Sequence, residues 1–311
     1  MRVRSLVLVV VLAVGLLLPF KVSALNQNPN LNIGLTNMLD GIIPPPGVHL
    51  LNYFVYYDAD DLETKTPFKQ MDHELEVKAY APQLIYIPDH TLPGGLRYGF
   101  SAILPLQDID VDSPALTANS NIIGDLAVGP FIGKTVPLAR DTAFHWFLEL
   151  DTYLPVGDYD NEKAINPSAN YVSFNPFLSM SLTLPQGFAV STRQFYTYNF
   201  ENDDYRHPGT GAVGELQAGQ MYHFNYSVSK NLPFIHPYFR IGAVGYYLNQ
   251  LTADEFDGQA MKTSHEKVFA IGPGIVYIHK GIFFGAKAMF ETETEERFKG
   301  TKYVFQVRFK F

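Results

Sequence analysis

Two histidines and two carboxylates hold the spacing in this chain that most resembles acid–base machinery. His145, Glu149 and Asp151 take odd positions in one alternating stretch, and His223 takes the matching place in another, so all four share a face if both stretches are strands. No serine is tied to them by sequence, and the chain has no cysteine, which also removes disulfides and thiolate metal sites. No G-x-S-x-G elbow, H-E-x-x-H pair, phosphate loop or dinucleotide glycine fingerprint appears. Asp254-Glu255-Phe256-Asp257-Gly258 and Asn202-Asp203-Asp204 offer oxygens suited to Ca²⁺ or Mg²⁺, but the spacing is not that of an EF-hand and a solvated loop accounts for them better. The expectation is a protein that is not an enzyme and has no cofactor or metal.

The face that carries these groups carries many others. Arg97, Asp125, Glu149, Asp151, Arg193, Glu215, Gln217, His223, Arg240, Lys287, Gln306 and Arg308 share its parity, with Lys310 beyond them. Phe147, Tyr153, Phe177 and Phe195 fall on the same side. If this face encloses a space, opposed charges either neutralise one another and pack it shut or line a wet pathway. The rings either touch a hydrophobic or aromatic solute or fill volume.

The elements that must position these side chains read as strands. Val172, Phe174, Pro176, Leu178, Met180, Leu182 and Leu184 alternate with Ser173, Asn175, Ser179, Ser181 and Thr183; Phe144, Trp146, Leu148 and Leu150 alternate with His145, Glu149 and Asp151. Such period-two stretches are expected near 47–58, 73–87, 95–106, 121–134, 142–155, 171–184, 187–200, 211–229, 234–249, 264–279, 281–292 and 300–311. That makes about twelve, each long enough for the ~9–11 residues a tilted membrane strand requires. No stretch longer than a turn shows helical periodicity, and no fixed repeat recurs.

Connections alternate in length. Tight turns rich in Pro and Gly fall at Pro137–Asp141, Leu184–Gly187, Asn231–Pro233 and His279–Gly281. Between them lie polar stretches at Asp58–Asp72, Gln107–Ser120, Gly157–Asn170, Glu201–Gly211, Gln250–Ser264 and Glu291–Lys299, expected to be long loops. Sorting by parity is what a transmembrane antiparallel up-and-down β-barrel shows, with short periplasmic turns and long extracellular loops. A soluble sandwich has no reason for it. The 19 Tyr and 24 Phe beside a single Trp suit aromatic girdles at two membrane interfaces.

The N-terminus reads as a leader: Arg2 and Arg4, an apolar run from Leu6 to Phe20, then Val22-Ser23-Ala24 as a small-residue cleavage site. Residues 1–24 are expected to be this signal peptide, 25–46 a periplasmic tail or a plug in the lumen, and 47–311 the barrel. Pro44-Pro45-Pro46 cannot join a ladder, so the sheet starts after them. The formal charge is −8, and falls to −11 without Arg2, Arg4 and Lys21, which argues against nucleic acid as a partner. At the other end Tyr303-Val304-Phe305-Gln306-Val307-Arg308-Phe309-Lys310-Phe311 alternates to a final Phe. It resembles the closing strand of outer-membrane barrels, whose ending is the signal read by the barrel assembly machinery. Expected surroundings are outer-membrane lipid and lipopolysaccharide.

Several segments together resemble the outer-membrane family named for the meta-cleavage pathway of phenol degradation. They are Pro45-Pro46-Gly47 with Leu51-Asn52-Tyr53 and Tyr56-Tyr57; Leu154-Pro155-Val156-Gly157-Asp158-Tyr159; Asn199 with Asp204-Tyr205-Arg206 and Gly209; Gly245-Tyr246-Tyr247 with Gln250, Asp254 and Gly258; and Gly272-Pro273-Gly274 before Tyr277. They span nearly everything after residue 44; Pro208 between His207 and Gly209 is a local departure. The resemblance implies a channel or transporter, akin to long-chain fatty-acid and aromatic-hydrocarbon channels, for small hydrophobic or aromatic solutes, and it brings no catalytic residues. Two alternatives stand beside this reading: a structural or surface-interaction barrel with a closed lumen, and an outer-membrane lipid-modifying enzyme.

Overall fold

A computed structural model describes residues 31–36, 38–65, 69, 72–113, 116–261 and 264–311. The expected leader lies outside them. Eighteen strands follow in order: β1 (Gly47–Glu63), β2 (Glu74–Ile87), β3 (Arg97–Ile103), β4 (Leu106–Ser113), β5 (Leu116–Ile123), β6 (Leu126–Ala139), β7 (Thr142–Leu154), β8 (Ser173–Thr183), β9 (Phe188–Asn199), β10 (Glu201–Arg206), β11 (Val213–Gln217), β12 (Met221–Asn231), β13 (Phe239–Gln250), β14 (Asp254–Phe256), β15 (Gln259–Met261), β16 (Lys267–His279), β17 (Ile282–Glu295) and β18 (Arg297–Lys310).

β3 and β4 both pair with β2 and form one wall strand broken at Leu104–Pro105; β5 and β6 form another, broken at Gly124–Asp125. Counted so, the wall has twelve antiparallel strands. β1 pairs with β18 on one side and β2 on the other, which closes the cylinder and leaves no edge. β10, β11, β14 and β15 make a separate four-stranded sheet from the loops.

Closure is explained by which side meets which medium. Phe54, Leu84, Phe100, Leu148, Phe174, Val228, Ile275 and Phe305 stand exposed on the outside, while Ser179, Asn175, Glu149, Arg193 and His223 are buried within. A soluble protein does not leave a continuous band of large apolar residues bare. In lipid, that band is solvated, and the closed ladders pair the wall's N–H and C=O groups with neighbouring strands apart from a few local gaps. No helix among the described residues is long and apolar enough to cross a membrane. Prolines inside wall strands point outward at Pro130 and Pro273, each where the ladder to one neighbour skips a pair, so the missing N–H is absorbed by a local opening.

At the end that holds the start of β1 and the end of β18, the turns after β6, β8 and β16 are tight, whereas 88–96 and 232–238 are longer, the latter where a tight turn was expected. Lys280-Gly281 links β16 to β17 with both residues at positive φ, and Gln186-Gly187 does the same between β8 and β9, a geometry that follows the strand twist.

Three expected loops are in part or wholly extensions of wall strands, and those at 201–211 and 250–264 contribute the strands of the loop sheet. β1 runs on to Glu63, β4 and β5 fill most of 107–120, and β17 and β18 meet across the single residue Glu296. Here the alternation persists with its polarity reversed. Tyr57, Ala59, Leu75, Val77 and Val111 turn inward while Asp58, Asp60, Glu76, Asp108, Asp110 and Asp112 turn out, because beyond the lipid the outer face meets water. The expected strand 211–229 divides into β11 and β12, and that expected at 234–249 begins only at Phe239 after a turn.

The described part of the segment before β1 lies inside the wall. Gly34 N–H donates to Asn225 Oδ1 at 2.7 Å, Leu39 N–H to Ser191 Oγ at 3.1 Å and Gly41 N–H to Ser181 Oγ at 2.8 Å. Lys287 Nζ donates to the Leu35 carbonyl and Arg97 Nη1 to that of Pro44. Irregular backbone at membrane depth survives only with such partners. Ile33 joins the lumen cluster of Tyr53, Val244, Tyr246 and Met289, and Ile43 packs on Phe131, Phe147, Phe177 and Phe195.

Candidate lumen site

Alternation on β6, β7, β8, β9 and β12 brings one inner row together in register: Phe131, Glu149, Phe177, Phe195 and His223. The rings meet edge-on or tilted from Phe131 through Phe147 and Phe177 to Phe195, and His223 lies flat on Phe195 with centroids 4.2 Å apart. Arg193 sets its guanidinium 4.3 Å from the Phe177 centroid and 5.3 Å from that of Phe147. It grips Asp40 of the N-terminal segment through two parallel bonds, Nε to Oδ2 at 2.8 Å and Nη2 to Oδ1 at 2.7 Å, with both side chains only 8 % exposed.

Above this layer is a cavity of about 710 Å³, lined from Asn161, Arg206 and Glu296 at the loop end down to Phe177 and Arg193. Val55, Val77, Ala79, Ala81, Ile103 and Val111 give it an apolar wall; Asp125, Glu149 and Asp151 give it an acidic one. Leu31, Asn32, Ile33 and Leu35 of the N-terminal segment also border it.

Of the residues singled out by parity, Asp125, Glu149, Asp151, Phe177 and Arg193 line the cavity. Tyr153 does too, whereas Phe147 and Phe195 are spent in the ring cluster. His223 is fully buried, and neither ring nitrogen finds a partner. Arg97 and Lys287 hold carbonyls of the N-terminal segment. Arg240 donates to Ser229 Oγ at 3.0 Å, Arg308 lies over Phe283, and Gln306 faces inward beside Gly285. Glu215 and Gln217 are corrections. They belong to β11, paired with β10 and β14 in the loop sheet, and neither borders the lumen cavity. Their parity matched β12, but the chain bends at Ala218–Gln220 between the two strands.

The acid–base grouping does not assemble. His145 Nδ1 lies 2.9 Å from Thr135 Oγ1 and Nε2 3.2 Å from Thr183 Oγ1, so two threonines occupy its ring. The acidic loops are also engaged. Asp254 Oδ1 accepts from Gly219 N–H and Gln250 Nε2, both at 2.7 Å, and Asp257 Oδ1 accepts from Glu215 N–H at 2.9 Å. Burial, the largest influence, lifts the Asp254 carboxyl to about 7 despite those two donors.

Sequence reasoning missed a second charged group near the loop end. Tyr57 and Tyr246 hydroxyls donate to Glu291, each at 2.8 Å; Arg297 reaches Glu266 at 3.2 Å; Lys302 sits over both tyrosine rings and donates to the Ile33 carbonyl. Lys302 shares the parity of Gln306 and Arg308, and that was the signal available. Asp40 gave none, because the segment before the sheet has no period.

These features define a closed membrane-type barrel with an occupied lumen. The solved structure of the COG4313 outer membrane channel from Pseudomonas putida F1 has the same fold, with a TM-score of 0.76 at 13% identity over 89% of this chain and 99% of that one. The β domain of the Bordetella autotransporter BrkA follows at a TM-score of 0.50, with 12% identity over 86% of this chain and 100% of that one. No curated protein sequence matches this one. The chain belongs to the family described as "Putative MetA-pathway of phenol degradation", whose model matches residues 59–309.

Proposed function

We propose that the chain is an outer-membrane channel admitting small hydrophobic or aromatic compounds. The observation that carries this is the cavity of about 710 Å³, apolar on one wall, whose lining starts among the loops and reaches the middle of the lumen. A volume of that size accepts a small organic molecule, and a mixed lining lets an apolar body enter without stranding its polar group. Family membership supports a link with aromatic breakdown. On this reading the leader is removed on export and the apolar band sits in outer-membrane lipid.

A second reading draws on a specific feature: Asp40, Leu39 and Gly41 are fixed inside the lumen to the β8–β9 wall, which favours a closed structural barrel. Uptake of radiolabelled phenol at limiting concentration, compared in cells with and without the chain, decides between them. The channel predicts several-fold faster entry with the chain present. Equal rates, together with a silent folded barrel in planar bilayers, would leave the closed barrel standing.

A further inference from the structure

Asp125, Glu149 and Asp151 border the cavity, Asp40 lies beside Arg193 at its floor, and two of the four are held by hydrogen bonds. Asp40 is held by Arg193. Asp125 accepts backbone N–H groups of Gly157 and Ala169 at 3.3 and 2.8 Å. Glu149 has the Ser101 hydroxyl and the charge of Arg193 acting on it, and Ser101 itself accepts Gln83 Nε2 at 2.8 Å. Asp151 differs. It is 8 % exposed and borders the cavity, yet it accepts no hydrogen bond from any described residue.

Its neighbours explain the vacancy. On the β6 side stands Gly129, where even a Cβ would come within 3.0 Å of Asp151 Oδ1, so no side chain is there to donate. On the β8 side Asn175 turns its oxygen to Thr197 Oγ1 at 2.7 Å, and its amide nitrogen reaches no acceptor. Arg193 acts on Asp151 only at longer range, being committed to Asp40. Once a solute fills the cavity and displaces its water, an acceptor left without a donor is costly, and the cost is relieved when that solute supplies one. Phe177, Ile103 and Ala81 in the same lining offer such an occupant apolar contact.

We propose that Asp151 is the polar anchor of a solute-binding site in the lumen, selecting an apolar molecule that bears a hydrogen-bond donor, a hydroxyl or an ammonium group. This rests on the channel reading and narrows its substrate class. A bare hydrocarbon, a methyl ether or a carboxylate brings no donor hydrogen and leaves Asp151 unmatched.

The test uses the full barrel in amphipol, folded state verified by heat-shifted gel mobility, with binding read by ligand-observed NMR against empty amphipol. Probes are p-cresol, benzylammonium, 4-methylanisole and p-toluate. The barrel is expected to bind p-cresol or benzylammonium about tenfold or more tighter than the other two. Asp151→Ala is expected to erase that gap. Asp151→Asn, which keeps the shape and an acceptor oxygen, is expected to spare part of the p-cresol preference and none of the benzylammonium one. A methyl ether bound as tightly as the phenol, or an unchanged ranking in Asp151→Ala, would overturn the anchor while leaving a channel in place. Failure of all four probes to bind, with no faster phenol entry in cells, would remove the channel reading itself.

Discussion

Arg193 and Asp40 join the wall to the segment inside it, and their two-point contact is buried on both sides. Removing one member of such a pair strands the other, at a cost of about 3–5 kcal/mol, whereas removing both costs less. Because Arg193 also borders the cavity, where water can reach it, the lower end of that range applies. Asp40→Ala is therefore expected to reduce unfolding free energy in detergent by about 3 kcal/mol. Combining it with Arg193→Met should lose less than Asp40→Ala alone. A double-mutant loss equal to the sum of the two single losses in a denaturant cycle would mean that the two charges do not depend on each other. At this scale the sequence disclosed half of the contact. Arg193 was legible because a strand assigns every second residue to one face; Asp40 was not, since a segment held by side-chain acceptors has no period of its own.

Strands whose outer face meets lipid were legible for the same reason, and β7 and β8 lie within a residue or two of where alternation put them. β4 and β5 were hidden by Asp108, Asp110 and Asp112, which resemble loop residues until their partners Ile109 and Val111 are seen to face inward. The loop sheet was hidden too, because β14 and β15 have only three residues each and depend on tertiary anchors. Asp254 is the principal one, and it makes the sheet sensitive to pH. Its carboxyl stands at about 7 in the fold, against roughly 3.9 in an unfolded chain. The folded form therefore binds more protons between those values. Stability from Asp254 is fully present below about 4, declines as pH rises through 7 and is flat above. The change from pH 5 to pH 8 is on the order of 2 kcal/mol in local opening of the sheet. Hydrogen exchange at Gly219 and residues 254–261, corrected for the intrinsic rate, should show protection falling over that interval. Asp254→Asn keeps the acceptor oxygen for Gly219 and Gln250 without the charge, so its protection should not vary with pH. A wild-type profile flat with pH would show that the carboxyl is ionised throughout.

Twelve strands spaced about 4.8 Å apart and tilted near 40° close into a wall of roughly 12 Å radius. Inward side chains narrow the bore to about the width of one further chain, so whatever occupies it controls passage. Residues 31–36 and 38–46 are that occupant, running along the inside from Ile33 beside Tyr246 to Pro44 beside Arg97. The wall does not need them: the β1–β18 and β1–β2 ladders begin at Gly47 or later. Deleting residues 31–43 should therefore leave a barrel with normal heat-shifted mobility and a lowered melting temperature, since Ile33, Ile43 and the Asp40 pair are lost. Unitary conductance in planar bilayers should rise several-fold over the intact chain, because an ion then meets a bore rather than the gap beside a peptide. If conductance is unchanged, the restriction lies in the wall, where the Phe131–Phe147–Phe177–Phe195 rings project, and Phe177→Ala on the deleted background should then open it. Either result assigns the gate to a definite set of side chains, because the segment and the ring cluster occupy the same layer and meet at Ile43.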